Sequence, residues 1–80
     1  MIKFIDLQKQ YGFIRKEIKK EIQEVLDSGN YISGQKTKNF EEKFAEFCGA
    51  KYALGVNNGT SALLLALLAL NIKKGDEVIT

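Results

Sequence analysis

The sequence predicts an α/β fold in which amino-terminal helices precede a strand–helix–strand unit. Residues 8–28 and 37–48 place apolar side chains at steps of three and four, which is the spacing of an amphipathic helix. The short apolar runs at 51–56 and 77–80 have the length and flanking turn residues of buried strands. Between these two runs lies 62–70, a Leu/Ala stretch long enough for a helix.

The first helix is expected to cover 8–28 and to end at Gly29, because glycine suits the left-handed position that closes many helices. Its apolar positions are Tyr11, Ile14, Ile18, Ile22, Val25 and Leu26. Lysines alternate with glutamates along the helix and do not gather on one side, and the formal net charge is only +2. This pattern indicates a solvated face and does not support a nucleic-acid-binding surface.

A Gly/Ser-rich loop at 31–36 follows, and Thr37 is the predicted N-cap of a second helix that Gly49 ends. That helix carries Cys48, the single cysteine of a chain that has no histidine. We interpret Cys48 as a small apolar group on the inner face of the helix. Zinc sites and histidine base chemistry within these residues are excluded by this composition.

The turn into the third helix has the layout of an anion-binding site. The first amides of a helix lack intrahelical acceptors and the helix dipole adds positive charge there, so a phosphate can lie against Gly59, Thr60 and Ser61. The sequence contains neither G-x-G-x-x-G nor G-x-x-x-x-G-K-[ST]. One glycine followed by Thr and Ser suits a single phosphate monoester. The alternative is an ordinary strand-to-helix turn with Ser/Thr capping.

Length and hydropathy limit the class of protein. The longest apolar run, 62–70, has nine residues, whereas a membrane span needs about 20. Residues 1–6 lack the features of a secretory signal, so we expect a cytoplasmic protein without a membrane partner. The predicted helix at 62–70 is apolar on nearly every face and must be covered on both sides. Because 80 residues offer too little cover and Thr80 lies inside a predicted strand, we expect a fragment of a longer chain.

Five sequence blocks carry a specific resemblance. They are Phe4-Ile5-Asp6-Leu7, 25–34 (VLDSGNYISG), 40–52 (FEEKFAEFCGAKY), 55–63 (GVNNGTSAL) and 75–80 (GDEVIT). In this order and spacing they resemble the amino-terminal part of the DegT/DnrJ/EryC1/StrS family of sugar aminotransferases, over essentially all 80 residues. Gln35 departs from the family pattern, which commonly has proline at that position.

The resemblance implies a pyridoxal-phosphate-dependent enzyme of fold type I. Residues 1–80 would form the amino-terminal helices and the first strand–helix–strand of its large domain, a mostly parallel sheet in a three-layer α/β/α arrangement. The rest of that domain and the small carboxy-terminal domain would be absent. The implied reaction moves an amino group from glutamate to a keto group of a nucleotide-linked sugar, with 3-keto sugars favoured. The implied pathway is amino-sugar or surface polysaccharide biosynthesis, and the implied assembly is a homodimer.

The resemblance also assigns site residues. It implies that Gly59, Thr60 and Ser61 contact the cofactor phosphate, in agreement with the anion site expected from the sequence. The family places the Schiff-base lysine beyond Thr80, so the 80-residue chain supplies no catalytic residue. The isolated chain is therefore expected neither to form a stable sheet nor to transaminate.

The loop after the first helix is the second site that the resemblance implies. Tyr31, Ile32 and Gly34 would lie near the substrate or the neighbouring subunit, and packing of Tyr31 at the dimer interface is an equal alternative. Two other functions stay open at this point. One is a dehydratase of the same family, in which histidine replaces the lysine. The other is a small helical interaction module whose apolar helix, 62–70, docks on a partner.

Overall fold

The computed structural model describes all residues from 1 to 80 and contains three helices. Helix α1 covers Leu7–Ser28, α2 covers Gln35–Cys48 and α3 covers Gly59–Ala69. The connecting and terminal segments are turns and irregular backbone. The three helices lie where the apolar spacing of the sequence predicts them, within two residues at most ends.

The predicted α/β fold is wrong, because the structure contains no strand and therefore no parallel sheet or three-layer arrangement. The sequence predicts strands at 51–56 and at 77–80, the second of which ends with Thr80. A strand requires a partner for its backbone N–H and C=O groups. Neither segment makes a backbone hydrogen bond to the other or to any third segment, so both remain irregular and Thr80 lies in no strand.

Helix α1 begins and ends at capping residues. The Asp6 carboxylate accepts a hydrogen bond from the backbone N–H of Lys9 at 3.0 Å, which satisfies one amide of the first turn. At the other end, Gly29 adopts the left-handed conformation with φ 71°, and its N–H donates to the Val25 carbonyl at 3.1 Å. The predicted end at Gly29 is confirmed.

The N-cap of helix α2 lies three residues earlier than the sequence predicts. Gly34 is its N-cap, with an extended backbone, and its carbonyl accepts the first helical hydrogen bond from the Lys38 N–H at 3.3 Å. The prediction of Thr37 as the N-cap is therefore wrong, since Thr37 already lies inside the helix. The predicted end at Gly49 is confirmed, because this glycine is left-handed with φ 66°.

Few of the apolar side chains of α2 are buried or packed against other side chains. The rings of Phe40 and Phe44 stack with centroids 5.5 Å apart, and Ala45 is the one buried residue of the chain. Cys48 is exposed, so its predicted place on an inner face is wrong. No other helix makes an extensive contact with α2, and an inner face requires such a neighbour.

The chain does not enclose a hydrophobic core. Its radius of gyration is 18.0 Å, against roughly 12 Å for a compact chain of this length. Its accessible surface is 8150 Å², against about 4,900 Å² for a folded monomer of the same mass. Every residue of helix α3 except the half-buried Ser61 is exposed, including Leu63 and Leu68. No helix is both long enough and apolar enough to cross a membrane.

Candidate functional site

The start of α3 is organised by Asn58. Its backbone is extended, with φ −163° and ψ 171°, and its side-chain oxygen accepts a hydrogen bond from the Ser61 N–H at 2.8 Å. Its carbonyl accepts from the Ala62 N–H at 3.1 Å. Asparagine is among the best N-cap residues because its short side chain reaches the amides of the first turn. Asn58 thus fixes where α3 begins.

Two amides at this helix start remain without an acceptor. The backbone N–H groups of Gly59 and Thr60 make no hydrogen bond within the chain. The hydroxyls of Thr60 and Ser61 lie in the same turn, and that turn contains no acidic residue. The helix dipole adds partial positive charge at this end. These groups fit the donor set of a phosphate site, which needs several N–H and O–H groups and no competing carboxylate.

Gly59 leaves open space at this site. A Cβ built on Gly59 would meet no atom within 4 Å, and its φ lies outside the left-handed region. No contact within the chain therefore requires glycine at this position. The free space next to two unpaired amides gives a ligand close access to the backbone.

The start of α3 supplies hydrogen-bond donors but no lysine. Lys36 pairs with carboxylates of α1, and the Lys51 ammonium group lies over the Tyr52 ring. The hydrogen bonds of residues 59–61 involve no lysine side chain. The placement of the Schiff-base lysine beyond Thr80 stays a prediction.

Tyr31 and Ile32 lie in the loop that joins α1 to α2. The Tyr31 hydroxyl donates to the Leu26 carbonyl at 3.3 Å, which folds the ring back onto the last turn of α1. Ile32 points away from the chain and is 90% exposed. The loop therefore presents an apolar side chain to solvent beside a tethered aromatic ring.

Gly34 closes this loop because no larger residue fits there. A Cβ on Gly34 would lie 2.9 Å from the Asn30 carbonyl oxygen, which is closer than such atoms approach. The preceding residue, Ser33, has a positive φ of 49°, an uncommon conformation for a residue with a side chain. The loop conformation is thus tightly constrained by local backbone geometry.

The structure does not bring the two predicted groups together. The grooves of the chain lie between α1 and α2, beside α2 near Tyr52, and along the α1–α2 loop. None of them is lined by residues 59–61. No group of three or more His, Cys, Asp or Glu side chains is placed to hold a metal ion. The start of α3 and the α1–α2 loop are therefore separate features of this chain.

Lys36 joins α2 to α1 through ion pairs. Its ammonium group donates hydrogen bonds to the carboxylates of Glu21 and Glu24. The hydrogen bond from Lys36 lowers the pKa of Glu24, with smaller electrostatic contributions from Lys36 and Lys20. The hydrogen bonds to Glu21 and Glu24 raise the pKa of Lys36. Both shifts favour the charged forms that make the pairs.

Sequence reasoning missed Asn58 as the cap of α3 and Lys36 as the link between α1 and α2. Asn58 had a readable signal, because asparagine directly before a helical run is a strong N-cap residue. Lys36 had none. Its pairing with residues twelve and fifteen positions earlier depends on how the loop folds, and local spacing does not encode this.

Comparison with known proteins shows which family this chain resembles. A profile of the DegT/DnrJ/EryC1/StrS aminotransferase family matches residues 13–80. A dTDP-3-amino-3,6-dideoxy-alpha-D-galactopyranose transaminase from Aneurinibacillus thermoaerophilus is 49% identical over 79 residues, which is 99% of this chain and 22% of that protein. A UDP-2-acetamido-2-deoxy-3-oxo-D-glucuronate aminotransferase from Pseudomonas aeruginosa is 46% identical over 80 residues, 100% of this chain and 22% of that protein.

A third relative is named for polysaccharide synthesis. The spore coat polysaccharide biosynthesis protein SpsC of Bacillus subtilis is 52% identical over 67 residues, covering 84% of this chain and 17% of that protein. The chain thus spans about a fifth of the length of the curated relatives it matches. No solved structure matches it significantly.

Proposed function

The chain belongs to the DegT/DnrJ/EryC1/StrS aminotransferase family, and we propose that it is part of an aminotransferase that acts on a nucleotide-linked keto sugar. Residues 1–80 would be the amino-terminal part of a single pyridoxal-phosphate-binding domain. The complete protein, meaning the longer polypeptide that contains these residues, would carry out the reaction with a lysine beyond Thr80. Family membership over residues 13–80 is the observation that supports this proposal most directly.

The start of α3 is the proposed binding place of the cofactor phosphate. The free amides of Gly59 and Thr60, with the hydroxyls of Thr60 and Ser61, would donate hydrogen bonds to the phosphate oxygens. When bound, pyridoxal phosphate supplies the electron sink for the transfer of the amino group. The role of this chain would be to hold the phosphate end of the cofactor and thereby orient its ring.

The names of relatives support the choice of substrate. One relative is named as a transaminase for a dTDP-3-amino sugar and another as an aminotransferase for a UDP-linked 3-oxo sugar. We therefore propose a nucleotide-linked 3-keto sugar as the acceptor and glutamate as the amino donor. SpsC supports a role in polysaccharide biosynthesis. Tyr31, Ile32 and Gly34 would lie at the substrate or at the interface of a homodimer.

Substitution at the start of α3 tests the cofactor site. We expect Thr60→Val and Ser61→Ala in the complete protein each to weaken pyridoxal phosphate binding about tenfold, because each removes a hydrogen bond to a charged group. Affinity would be measured by titration of the apoprotein, following the visible absorption of the bound cofactor. Thr37→Val is the matched control, since Thr37 is an exposed threonine inside α2. Equal affinity in all variants would contradict the proposed site.

A separate experiment tests the reaction. The complete protein would be incubated with glutamate and with matched 3-keto and 4-keto nucleotide sugars. The masses of the products would then be measured by mass spectrometry. We expect the amino sugar from the 3-keto substrate. Amination of only the 4-keto sugar would contradict the proposed position. Loss of water without amination would identify a dehydratase.

A further inference from the structure

The loop with Tyr31 and Ile32 is held between two charged helix ends. Glu21 and Glu24 lie three residues apart near the end of α1, which places them on one face of the helix. Lys36 lies in the first turn of α2 and its ammonium group donates to both carboxylates. These are the two ion pairs of the chain.

No other polar contact connects α1 to α2. The remaining hydrogen bonds of the loop return to α1 or stay within the loop: Asn30 N–H donates to Ser28 Oγ at 3.1 Å, and the Tyr31 hydroxyl donates to Leu26. The Gly34 carbonyl bonds only within α2. Apart from the backbone of the loop and the apolar side chains that line the groove between the helices, the angle between α1 and α2 therefore depends on the Lys36 pairs.

The loop between the two helices includes two residues with positive φ. Gly29 is left-handed with φ 71°, and Ser33 has φ 49°. A Cβ on Gly34 would lie 2.9 Å from the Asn30 carbonyl oxygen, so only a hydrogen fits at this position. Because the geometry of this loop is constrained, a change in the angle between α1 and α2 would move Tyr31 and Ile32 relative to α2.

We infer that Lys36 is a positioning residue: by pairing with Glu21 and Glu24 it sets the angle between α1 and α2, and so the placement of Tyr31 and Ile32. The consequence for catalysis rests on the proposed function, in which this loop lies at the substrate or the subunit interface. The side chains of the three charged residues are 42% to 57% exposed. Water and salt compete with such pairs, so the restraint that Lys36 places on the loop is modest and depends on the salt concentration.

Amide hydrogen exchange of the complete protein tests this inference without reference to activity. We expect Lys36→Met to speed exchange in residues 29–34 about threefold, which is the scale of an exposed ion-pair network. Lys36→Arg keeps a cation that can serve both carboxylates, and we expect it to retain the slow exchange. In a Glu21→Gln, Glu24→Gln background, Lys36→Met is expected to have no further effect.

Lys43→Met is the matched control, because Lys43 lines the same groove between α1 and α2 but makes no ion pair. Unchanged exchange in Lys36→Met would overturn the inference. An equal effect of Lys43→Met would also overturn it, as would an effect that persists when both carboxylates are replaced. Each of these results would mean that Lys36 does not act through Glu21 and Glu24.

Steady-state kinetics test the consequence for the substrate. We expect Lys36→Met to raise KM for the nucleotide sugar about threefold, in line with the loss of an exposed ion-pair network, with kcat less affected and Lys36→Arg close to the original. Altered exchange with unchanged KM would overturn the link to the substrate. A complete protein that transaminates no nucleotide sugar would overturn the proposed function, while the exchange data would still decide whether Lys36 positions the loop.

Discussion

At the scale of the residue, Asn58 determines which backbone amides at the start of α3 have no partner within the chain. Its side chain uses the Ser61 amide and leaves those of Gly59 and Thr60 without partners. Aspartate would cap the helix as well as asparagine and would interact more favourably with the helix dipole. It would also place a negative charge at the proposed phosphate site. An uncharged cap is therefore better suited to an anionic ligand.

Asn58→Asp separates these two effects. We expect the substitution to weaken binding of pyridoxal phosphate by about tenfold or more through repulsion between like charges, while α3 stays capped. Asn58→Ser is the control, because serine caps the helix without adding charge. Titration of the apoprotein with the cofactor measures both. Undiminished affinity in Asn58→Asp would place the phosphate elsewhere.

Replacing glycine by alanine is expected to lower the stability of the protein at Gly34 and to raise it at Gly12. In Gly34→Ala the new Cβ would lie 2.9 Å from the Asn30 carbonyl oxygen, and we expect a loss of about 1–3 kcal/mol of stability from the forced backbone shift. Gly12 lies inside α1 with nothing within 4 Å of a Cβ, so Gly12→Ala should add about 0.5–1 kcal/mol. Urea unfolding of the complete protein measures both changes, and a neutral Gly34→Ala would show that the loop can relax.

At the scale of the element, the junction of α1 and α2 should depend on pH. The folded pKa of Glu24 is lowered, so its contribution is present above the unfolded pKa and is lost as pH falls through the folded value. The folded pKa of Lys36 is raised, so its contribution is present below the unfolded pKa and is lost as pH rises through the folded value. The contact is therefore strongest between these limits, around neutral pH.

Carbon-13 NMR of the Glu24 carboxyl group measures the acidic side of this dependence. We expect its titration midpoint to rise toward the ordinary glutamate value in Lys36→Met, because the hydrogen bond that stabilises the carboxylate is lost. The midpoint should stay unchanged in Lys43→Met. If Lys36→Met leaves the midpoint where it was, the pairing does not hold in solution.

Which elements could be read from the sequence depends on the range of the interactions that form them. Helices α1, α2 and α3 follow from apolar spacing, and the glycines that end α1 and α2 follow from the local preference for left-handed backbone. The donors at the start of α3 were likewise visible in residues 59–61. Strands at 51–56 and 77–80 were predicted wrongly, because strand formation needs a distant partner that the local pattern does not supply.

The start of α2 shows a smaller failure of the same kind. Threonine is a good N-cap residue, and Thr37 precedes a helical pattern. The chain nevertheless enters the helix at Gln35, directly after the turn at Gly34, where only a glycine fits beside the Asn30 carbonyl. The ion pairs of Lys36 depend on that turn, so the sequence pattern did not predict them either. Geometry set by the loop outweighed the local preference of a single side chain.

At the scale of the whole molecule, the isolated 80-residue polypeptide should not unfold cooperatively. It buries one residue, Ala45, and its leucine-rich α3 has no covering surface, so burial of apolar area contributes little to stability. We expect circular dichroism to show a broad, gradual loss of helix on heating and the dye ANS to bind strongly. A sharp transition in a monomeric sample would show that these residues form a core of their own.

The tight loop between α1 and α2 also has a consequence for the length of the chain. Five residues connect Gly29 to Gln35, and the hydrogen bond of Tyr31 and the close contact of Gly34 with Asn30 involve most of them. An inserted residue would break the contact or rotate Lys36 away from its two carboxylates. The segment from 50 to 57 makes a single backbone hydrogen bond, from the Ala50 N–H. Within this chain, an inserted epitope or added residues would be tolerated better in that segment than at Tyr31.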